Sequence, residues 1–392
     1  MTGRAFFWVQ YLLGVGHLQR ALRIAEALVA DGMDVTLACG GPPSPLPRDS
    51  RIQFVQLPPV RARDASFTLV DETGAPLDEP LRERRRAALL GAFAEAQPGA
   101  VVLEGFPFAR RAFRFELDPL IAAARAARPR PRLFCSIRDI LVARDNPARD
   151  REVVERVRRE FDAVLVHGDP ALIPLDASFA AAPQIADRIA YTGYVTAAGH
   201  RPDARAGEGE VLVSAGGGAA GRLLLEAALA ARRRGALADR RWRFLAGPNL
   251  PAADFAALQA AAPAGVAVER FRHDLMSLLR GCRVSVSQAG YNTALETLLS
   301  GARAVFVPFA AGRETEQLVR AERLAALGRA ELVRESELSP QLLAAAIERA
   351  AAREPPALTI DSDGAARSAR LIAGRTGATG LAADLKTGMT VT

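Results

Sequence analysis

The sequence holds a single lysine, Lys386, among 51 basic residues. Chemistry that needs an activated lysine, such as a pyridoxal Schiff base or a P-loop, is largely excluded. Cysteine is scarce as well. Cys39, Cys135 and Cys282 are odd in number, far apart and without metal-ligand spacing, so each reads as apolar packing and neither a disulfide nor a zinc site is expected. Aromatic residues make up 6% of the chain and the arginines are dispersed, whereas a nucleic-acid surface wants a clustered basic stripe with stacking rings, so no nucleic acid is expected as a partner. No run approaches the ~20 apolar residues of a membrane helix. The opening "MTGRAFFWVQYLLGVG" lacks a signal-peptide layout, because its short apolar part ends in glycines. The expectation is a cytoplasmic protein.

What is present is a chain of 392 residues, 49% hydrophobic and 24% charged, which is the balance of a globular protein with two domains. Its formal charge of +7 suits phosphate-bearing ligands or an anionic membrane surface. Short β-branched runs alternate with helical patterns: "AFFWVQYL", "DVTLACG", "IQFVQLP", "AVVLEGF", "RLFCSIRD", "AVLVHG" and "RIAYTGY", then "EVLVSAGG", "RWRFLAGP", "VAVERF", "RVSVSQAG" and "ARAVFVPF". Strand followed by helix, repeated, predicts parallel sheets covered on both faces. The boundaries expected are an α/β domain over 1–195, a linker over 196–210, a second α/β domain over 211–373 and a disordered tail over 374–392. The long polar segment 58–85 reads as a loop.

Three glycine turns follow strands. The first, "YLLGVGHLQRALRIAEALVADG", places Gly14 and Gly16 between strand and helix and His17 at the helix start; its failure to reach G-x-G-x-x-G argues against a dinucleotide site. The second, "VSAGGGAAGRLLLEAALAA", meets that fingerprint through Gly216, Gly218 and Gly221, yet the next strand ends "FLAGPN" without the acidic residue that holds a ribose. A phosphate cradle survives; an NAD site loses ground. The third, "VSVSQAGYNTALETLLSGARAVFVPF", ends a strand at Ser287, turns at Gly290 and starts a helix near Asn292, with Glu296 one turn in. Glu316 and Gln317 head the helix that follows. Each of these polar residues also reads plainly as a solvated helix start or a cap.

These turns, in this order, resemble the nucleotide-sugar glycosyltransferases of the two-domain GT-B fold, specifically family 28 and the bacterial enzyme that adds GlcNAc to the peptidoglycan lipid intermediate. Within that group the chain is similar to bacterial proteins described as predicted glycosyltransferases. The resemblance covers roughly residues 5–350 and is carried by "GVGHLQRALRIAEAL" and "SQAGYNTALETLLSGARAVFVPF". It implies two Rossmann-like α/β domains with an interdomain cleft. It places the donor diphosphate against Gly290 and the helix after it, the nucleotide ribose on Glu296, and Gln288, Ala289, Asn292 and Thr293 among the nucleotide-sugar-binding residues. The phosphate side is given to Gly216, Gly217 and Gly218, the uracil edge to the backbone of Arg272, and the donor sugar to Glu316 and Gln317. The family's paired glutamines stand here as Glu then Gln, which leaves the sugar open. Gly14, Gly16 and His17 match the glycine-rich loop on the acceptor side.

The function expected is metal-independent, inverting transfer of a sugar from a UDP-sugar to an unidentified acceptor hydroxyl, with no cofactor. The only D-x-D, Asp361 to Asp363, lies late in the chain and reads as a helix cap rather than a metal site. His17 is the leading base, its ordinary pKa of ~6.5 suiting cytoplasmic pH, with Glu104 and Asp139 in reserve. Glycan, lipid-linked and small-molecule acceptors all stay open. The arginine-studded "FPFARRAFRF" would fit a lipid-linked acceptor and peripheral contact with the inner membrane. Alternatives are a UDP-sugar hydrolase or epimerase of the same fold, or a non-catalytic nucleotide-sugar-binding protein.

Overall fold

The computed structural model describes residues 3–12, 15–44, 46, 48–63, 68–142, 146–196, 206–216, 221–310 and 315–374. Among them the chain forms two compact units, one of residues 3–141, 146–196 and 361–374, the other chiefly of residues 206–360.

In the first unit the order is β1 (Arg4–Val9), α1 (Gly16–Ala30), β2 (Asp34–Cys39), β3 (Ile52–Gln56), β4 (Arg61–Ala62), β5 (Leu69–Val70), α2 (Glu79–Ala96), β6 (Ala100–Glu104), α3 (Arg114–Ala126), β7 (Arg132–Arg138), α4 (Pro147–Glu160), β8 (Ala163–His167) and β9 (Ile189–Tyr191). All but β4 and β5 join a parallel sheet ordered β3-β2-β1-β6-β7-β8-β9. These strands are hydrophobic at consecutive positions because both faces are covered. Along β1, Phe6 and Trp8 enter one core and Phe7 and Val9 the other.

In the second unit follow β10 (Val211–Ser214), α5 (Arg222–Arg232), β11 (Trp242–Leu245), α6 (Ala252–Ala261), β12 (Val266–Glu269), α7 (Leu275–Gly281), β13 (Val284–Ser287), α8 (Tyr291–Ser300), β14 (Ala304–Phe306), α9 (Glu316–Ala326), β15 (Glu331–Leu332) and α10 (Pro340–Ala352). Their parallel sheet runs β12-β11-β10-β13-β14-β15.

The twelve runs read as strands all form strands; the two-residue β15 was too short to show a period. The expected domain bounds differ from the observed ones at two places. Residues 206–210, expected as linker, belong to the second unit, where the Ala206 amide donates to the Ser277 carbonyl at 3.0 Å and Glu210 pairs with Arg243 at 2.8 Å. Helix α11 (Gly364–Ala373), assigned by sequence to the second domain, packs on α1, with Ala369 and Ile372 in the core that holds Phe7 and Val9. Arg132 at the start of β7 fixes it by donating to the Leu371 and Ile372 carbonyls at 2.8 and 2.7 Å. The stretch 58–85 also differs from a plain loop. It carries the β4–β5 ladder and the start of α2, where the Asp78 side chain accepts from the Leu81 amide. Asp363 occupies the first position before α11 but does not cap it with its side chain, which pairs instead with Arg370; Asp361 pairs with Arg367. All three cysteines are free. The expected tail beyond Gly374, and linker residues 197–205, lie outside the described residues.

Candidate functional site

In each sheet the strand order reverses beside the first strand, between β1 and β6 in one unit and between β10 and β13 in the other. At such a switch point adjacent loops leave the carboxyl ends in opposite directions and open a crevice, which is where α/β sheets bind ligands.

At the first switch point, His17 lies in the first turn of α1, just after β1, and Glu104 is the last residue of β6. The His17 Nδ1 is 3.0 Å from Glu104 Oε1. The same Nδ1 lies 3.2 Å from Arg20 Nη2, which only donates, while the carboxylate oxygen only accepts; the shorter contact to Glu104 favours the ring proton on Nδ1 and the lone pair on Nε2. Arg20, one turn along α1, also donates to Glu104 Oε1, and Ser136 on β7 donates to its Oε2. Glu104 is 1% exposed and the His17 side chain 25%, so the imidazole is the reachable member of the pair. Enclosure of the ring, then the charges of Arg110 and Arg20, bring the His17 pKa down to about 3 against the pull of Glu104. Burial by itself would raise the Glu104 pKa, but Arg20 and the hydrogen bonds from His17 and Ser136 hold it well below the usual carboxylate range. Around neutral pH the pair is therefore neutral imidazole on ionised carboxylate. Arg110, in a left-handed conformation, donates to the Gln10 carbonyl at 2.9 Å; burial lowers its pKa to about 10.

The cluster continues inward. Ser136 Oγ is 2.9 Å from His167 Nε2 at the end of β8, and His167 Nδ1 is 2.8 Å from Thr192 Oγ1 just past β9. Both are fully buried, and burial, with Arg20 adding and Glu104 opposing, brings the His167 pKa down to about 3. Sequence reasoning passed over Arg20, Ser136 and Thr192. The signal for Ser136 was its place near the carboxyl end of a strand otherwise apolar.

Two expectations are corrected here. Glu104 is not a reserve base, since both its oxygens are engaged and it serves His17. Asp139 is not one either. It is fully buried, one oxygen accepts from the Ile140 amide at 2.9 Å, and the other lies 3.4 Å from the Tyr194 hydroxyl.

At the second switch point the turn after β10 meets the start of α8. Gly216 has φ +68°, and a Cβ built on it would stand 3.9 Å from Thr293 Oγ1. Gly221 is required for a different reason, because a Cβ there would overlap Ala215. Among the described residues neither α1 nor α8 has a side-chain cap or an acidic residue in its first turn, so the helix dipole at both starts favours an anion. Gly290 precedes α8 in ordinary extended backbone with open space above it, so its value there is room and not a special φ. Gln288 is buried, while Asn292, Thr293 and Glu296 are half-buried. The Arg272 side chain forks onto Asp274 at 2.8 and 2.7 Å, pinning the loop after β12. Gly16 is the first residue of α1; Gly14, Gly217 and Gly218 lie outside the described residues.

Of the pair expected at the donor sugar, Glu316 is buried and Gln317 half-buried. Glu316 is 3% exposed and pairs with Arg320 at 2.9 Å, and Arg320 donates to the Ala289 carbonyl at 2.8 Å. Its carboxylate thus supports the turn before α8. Gln317 accepts from the Phe309 amide at 3.1 Å.

Residues 217–381 match the glycosyltransferase family 28 C-terminal domain. The UDP-N-acetylglucosamine–N-acetylmuramyl-(pentapeptide) pyrophosphoryl-undecaprenol N-acetylglucosamine transferase of Brucella anthropi is 36% identical over 123 residues, 31% of each chain. That of an Anaeromyxobacter species is 35% identical over 80 residues, 20% of this chain and 21% of the other. The chain thus aligns with about a third or less of the length of these curated relatives. Solved structures match nearly throughout. Acinetobacter baumannii MurG has a TM-score of 0.57 at 17% identity, covering 98% of this chain and 100% of its own. The calicheamicin glycosyltransferase CalG4 has a TM-score of 0.58 at 20% identity, covering 99% and 98%. The C-terminal region of the chain is therefore similar to the glycosyltransferase family 28 C-terminal domain, and the chain has the two-domain GT-B fold of these solved structures.

Proposed function

We propose that this protein transfers a sugar, with inversion and without a metal ion, from a UDP-sugar to an acceptor hydroxyl, using His17 as general base. The observation that carries the reading is the His17–Glu104 pair at the β1/β6 switch point. Nε2 of His17 takes the hydroxyl proton while the acceptor oxygen bonds to the anomeric carbon. The bond from that carbon to the diphosphate breaks, and UDP leaves with the electron pair. Glu104 stays ionised and steadies the imidazolium. The start of α8, with no acidic residue in its first turn, and the Gly216 turn are suited to the charge that grows on the diphosphate, because fixed N–H groups need no reorganisation as it forms.

The donor nucleotide is read as UDP from the family 28 match and from the UDP-sugar that the bacterial relatives use. The acceptor is an alcohol of a glycan, a lipid-linked intermediate or a small molecule. No helix among the described residues is long and apolar enough to cross a membrane, and we place the protein in the cytoplasm, meeting any lipid-linked acceptor at the membrane surface.

UDP release from a panel of UDP- and dTDP-sugars, with and without cell extract as acceptor, tests this. Release only with extract supports transfer, and release without it marks a hydrolase. His17→Ala is expected to keep UDP binding by titration calorimetry and to lose ~10²- to 10⁴-fold in turnover. No UDP binding at millimolar nucleotide would overturn the enzyme reading altogether.

A further inference from the structure

The chain of hydrogen bonds behind Glu104 has a single direction. Glu104 accepts only, so the Ser136 hydroxyl proton points to Oε2. The Ser136 oxygen must then accept from His167, whose Nε2 carries the ring proton. His167 Nδ1 is bare and accepts the Thr192 hydroxyl proton at 2.8 Å, a shorter contact than those of Thr192 Oγ1 to the carbonyls of Gly193 and Val166, at 3.1 and 3.4 Å. Complete burial, with the positive charge of Arg20 adding to it, disfavours a doubly protonated His167. His17 and His167 are thus both neutral and are opposite tautomers.

This direction matters because Arg20 competes for the same atoms. Its Nη2 donates to Glu104 Oε1 and lies 3.2 Å from His17 Nδ1. Held at Oε2 by Ser136, the carboxylate keeps Oε1 toward the His17 N–H. Released from Ser136, it is free to turn and take the Arg20 guanidinium with both oxygens, the stronger bidentate geometry. His17 then loses its acceptor, Arg20 Nη2 becomes a donor to Nδ1, and the ring proton moves to Nε2, where no lone pair is left for an acceptor hydroxyl. The other charged groups around the cluster, Arg110, Arg138 and Asp139, sit on the loop after β6 and at the end of β7.

We propose that Ser136 and His167 are positioning residues, acting through Glu104 to hold His17 in the tautomer that leaves Nε2 free. The proposal rests on the reading of His17 as base, and its test keeps the two apart. The chain has four histidines, so nitrogen NMR of the full-length protein labelled in its histidine rings resolves each tautomer. Expected in the wild type at pH 6 are Nδ1–H at His17 and Nε2–H at His167. Ser136→Ala and His167→Leu should move His17 to Nε2–H and lower kcat by ~10²-fold, the order a misplaced catalytic group costs, with UDP affinity within about twofold. His167→Gln keeps an N–H toward Ser136, so it should retain the His17 tautomer and most of kcat. Should His167→Leu fail to fold, Ser136→Ala, which removes one hydroxyl, decides alone. An Nε2–H tautomer at His17 in the wild type, or an unchanged one in Ser136→Ala, overturns the proposal. Absence of any UDP-sugar turnover overturns the base reading instead and leaves the tautomers to decide this one.

Discussion

An imidazole whose pKa lies near 3 does not titrate in the range where histidine bases are usually recognised. In the unliganded protein His17 is unprotonated from neutral pH down to well below 5, so kcat/KM for the proposed transfer, which reports ionisations of the unliganded state, should show no histidine limb between pH 7.5 and 5. A fall centred near 6.5 that vanishes in His17→Ala would contradict this. Stability should follow the opposite course. The folded pKa values of His17 and His167 lie below the ordinary 6.5, so between about pH 6.5 and 3 the unfolded chain binds more protons than the folded one. Stability is full above that window and falls through it, by up to about 1.4 kcal/mol per pH unit for each histidine. Glu104, its pKa lowered, adds a further loss below its ordinary range. Urea midpoints at pH 7 and pH 5 check this, and in His167→Gln the fall should be shallower. The sequence marked His17 from its place after a glycine turn and Glu104 from its place at a strand end. It did not pair them, since they are 87 residues apart and only the β1–β6 neighbourhood brings them within a hydrogen bond.

Elements are tied together by buried polar groups as well as by apolar packing. Arg85 of α2, fully buried, forks onto Glu116 of α3 at 2.8 Å on both arms, and donates to Gln10 beyond β1 and to the carbonyls of Gly40 and Pro58. Trp8 of β1 donates to the same carboxylate at 3.0 Å. Removing one partner strands the other charge in a dry core, so Glu116→Leu should cost about 3–5 kcal/mol in urea unfolding. The same reasoning from space applies at Gly221. A Cβ there would stand 2.1 Å from the Ala215 Cβ and 3.2 Å from its Cα, so Gly221→Ala must push α5 off β10 and should cost about 1–3 kcal/mol. A loss under half a kcal/mol would show that the helix shifts freely. The third glycine of the fingerprint, read from sequence as part of a phosphate turn, thus serves helix–strand contact. A carboxylate at a helix start looks the same in sequence whether it faces a ligand or, as Glu316 does, an arginine four residues on.

At the scale of the whole molecule, the chain ends its described part in the unit where it began. With α11 removed, the α1 face that meets Ala369 and Ile372 is bare and Arg132 loses both of its carbonyl acceptors. A chain stopped at residue 360 is therefore expected to lose about 2–5 kcal/mol from its first unit, from the burial of those side chains, read as a lower urea midpoint and faster proteolysis between residues 3 and 196. An unchanged first unit would show that α11 is not part of its core. The sequence by itself determined the strands, the two parallel sheets and the glycine turns, because alternation of apolar runs with amphipathic helices and the backbone demands of a turn are local. Only the tertiary structure decided that α11 belongs to the first unit, that Glu104 serves His17, and that Glu316 faces Arg320. Those outcomes depend on which strand ends and helix faces become neighbours, and strand order in a parallel sheet is set by packing between segments far apart in the chain.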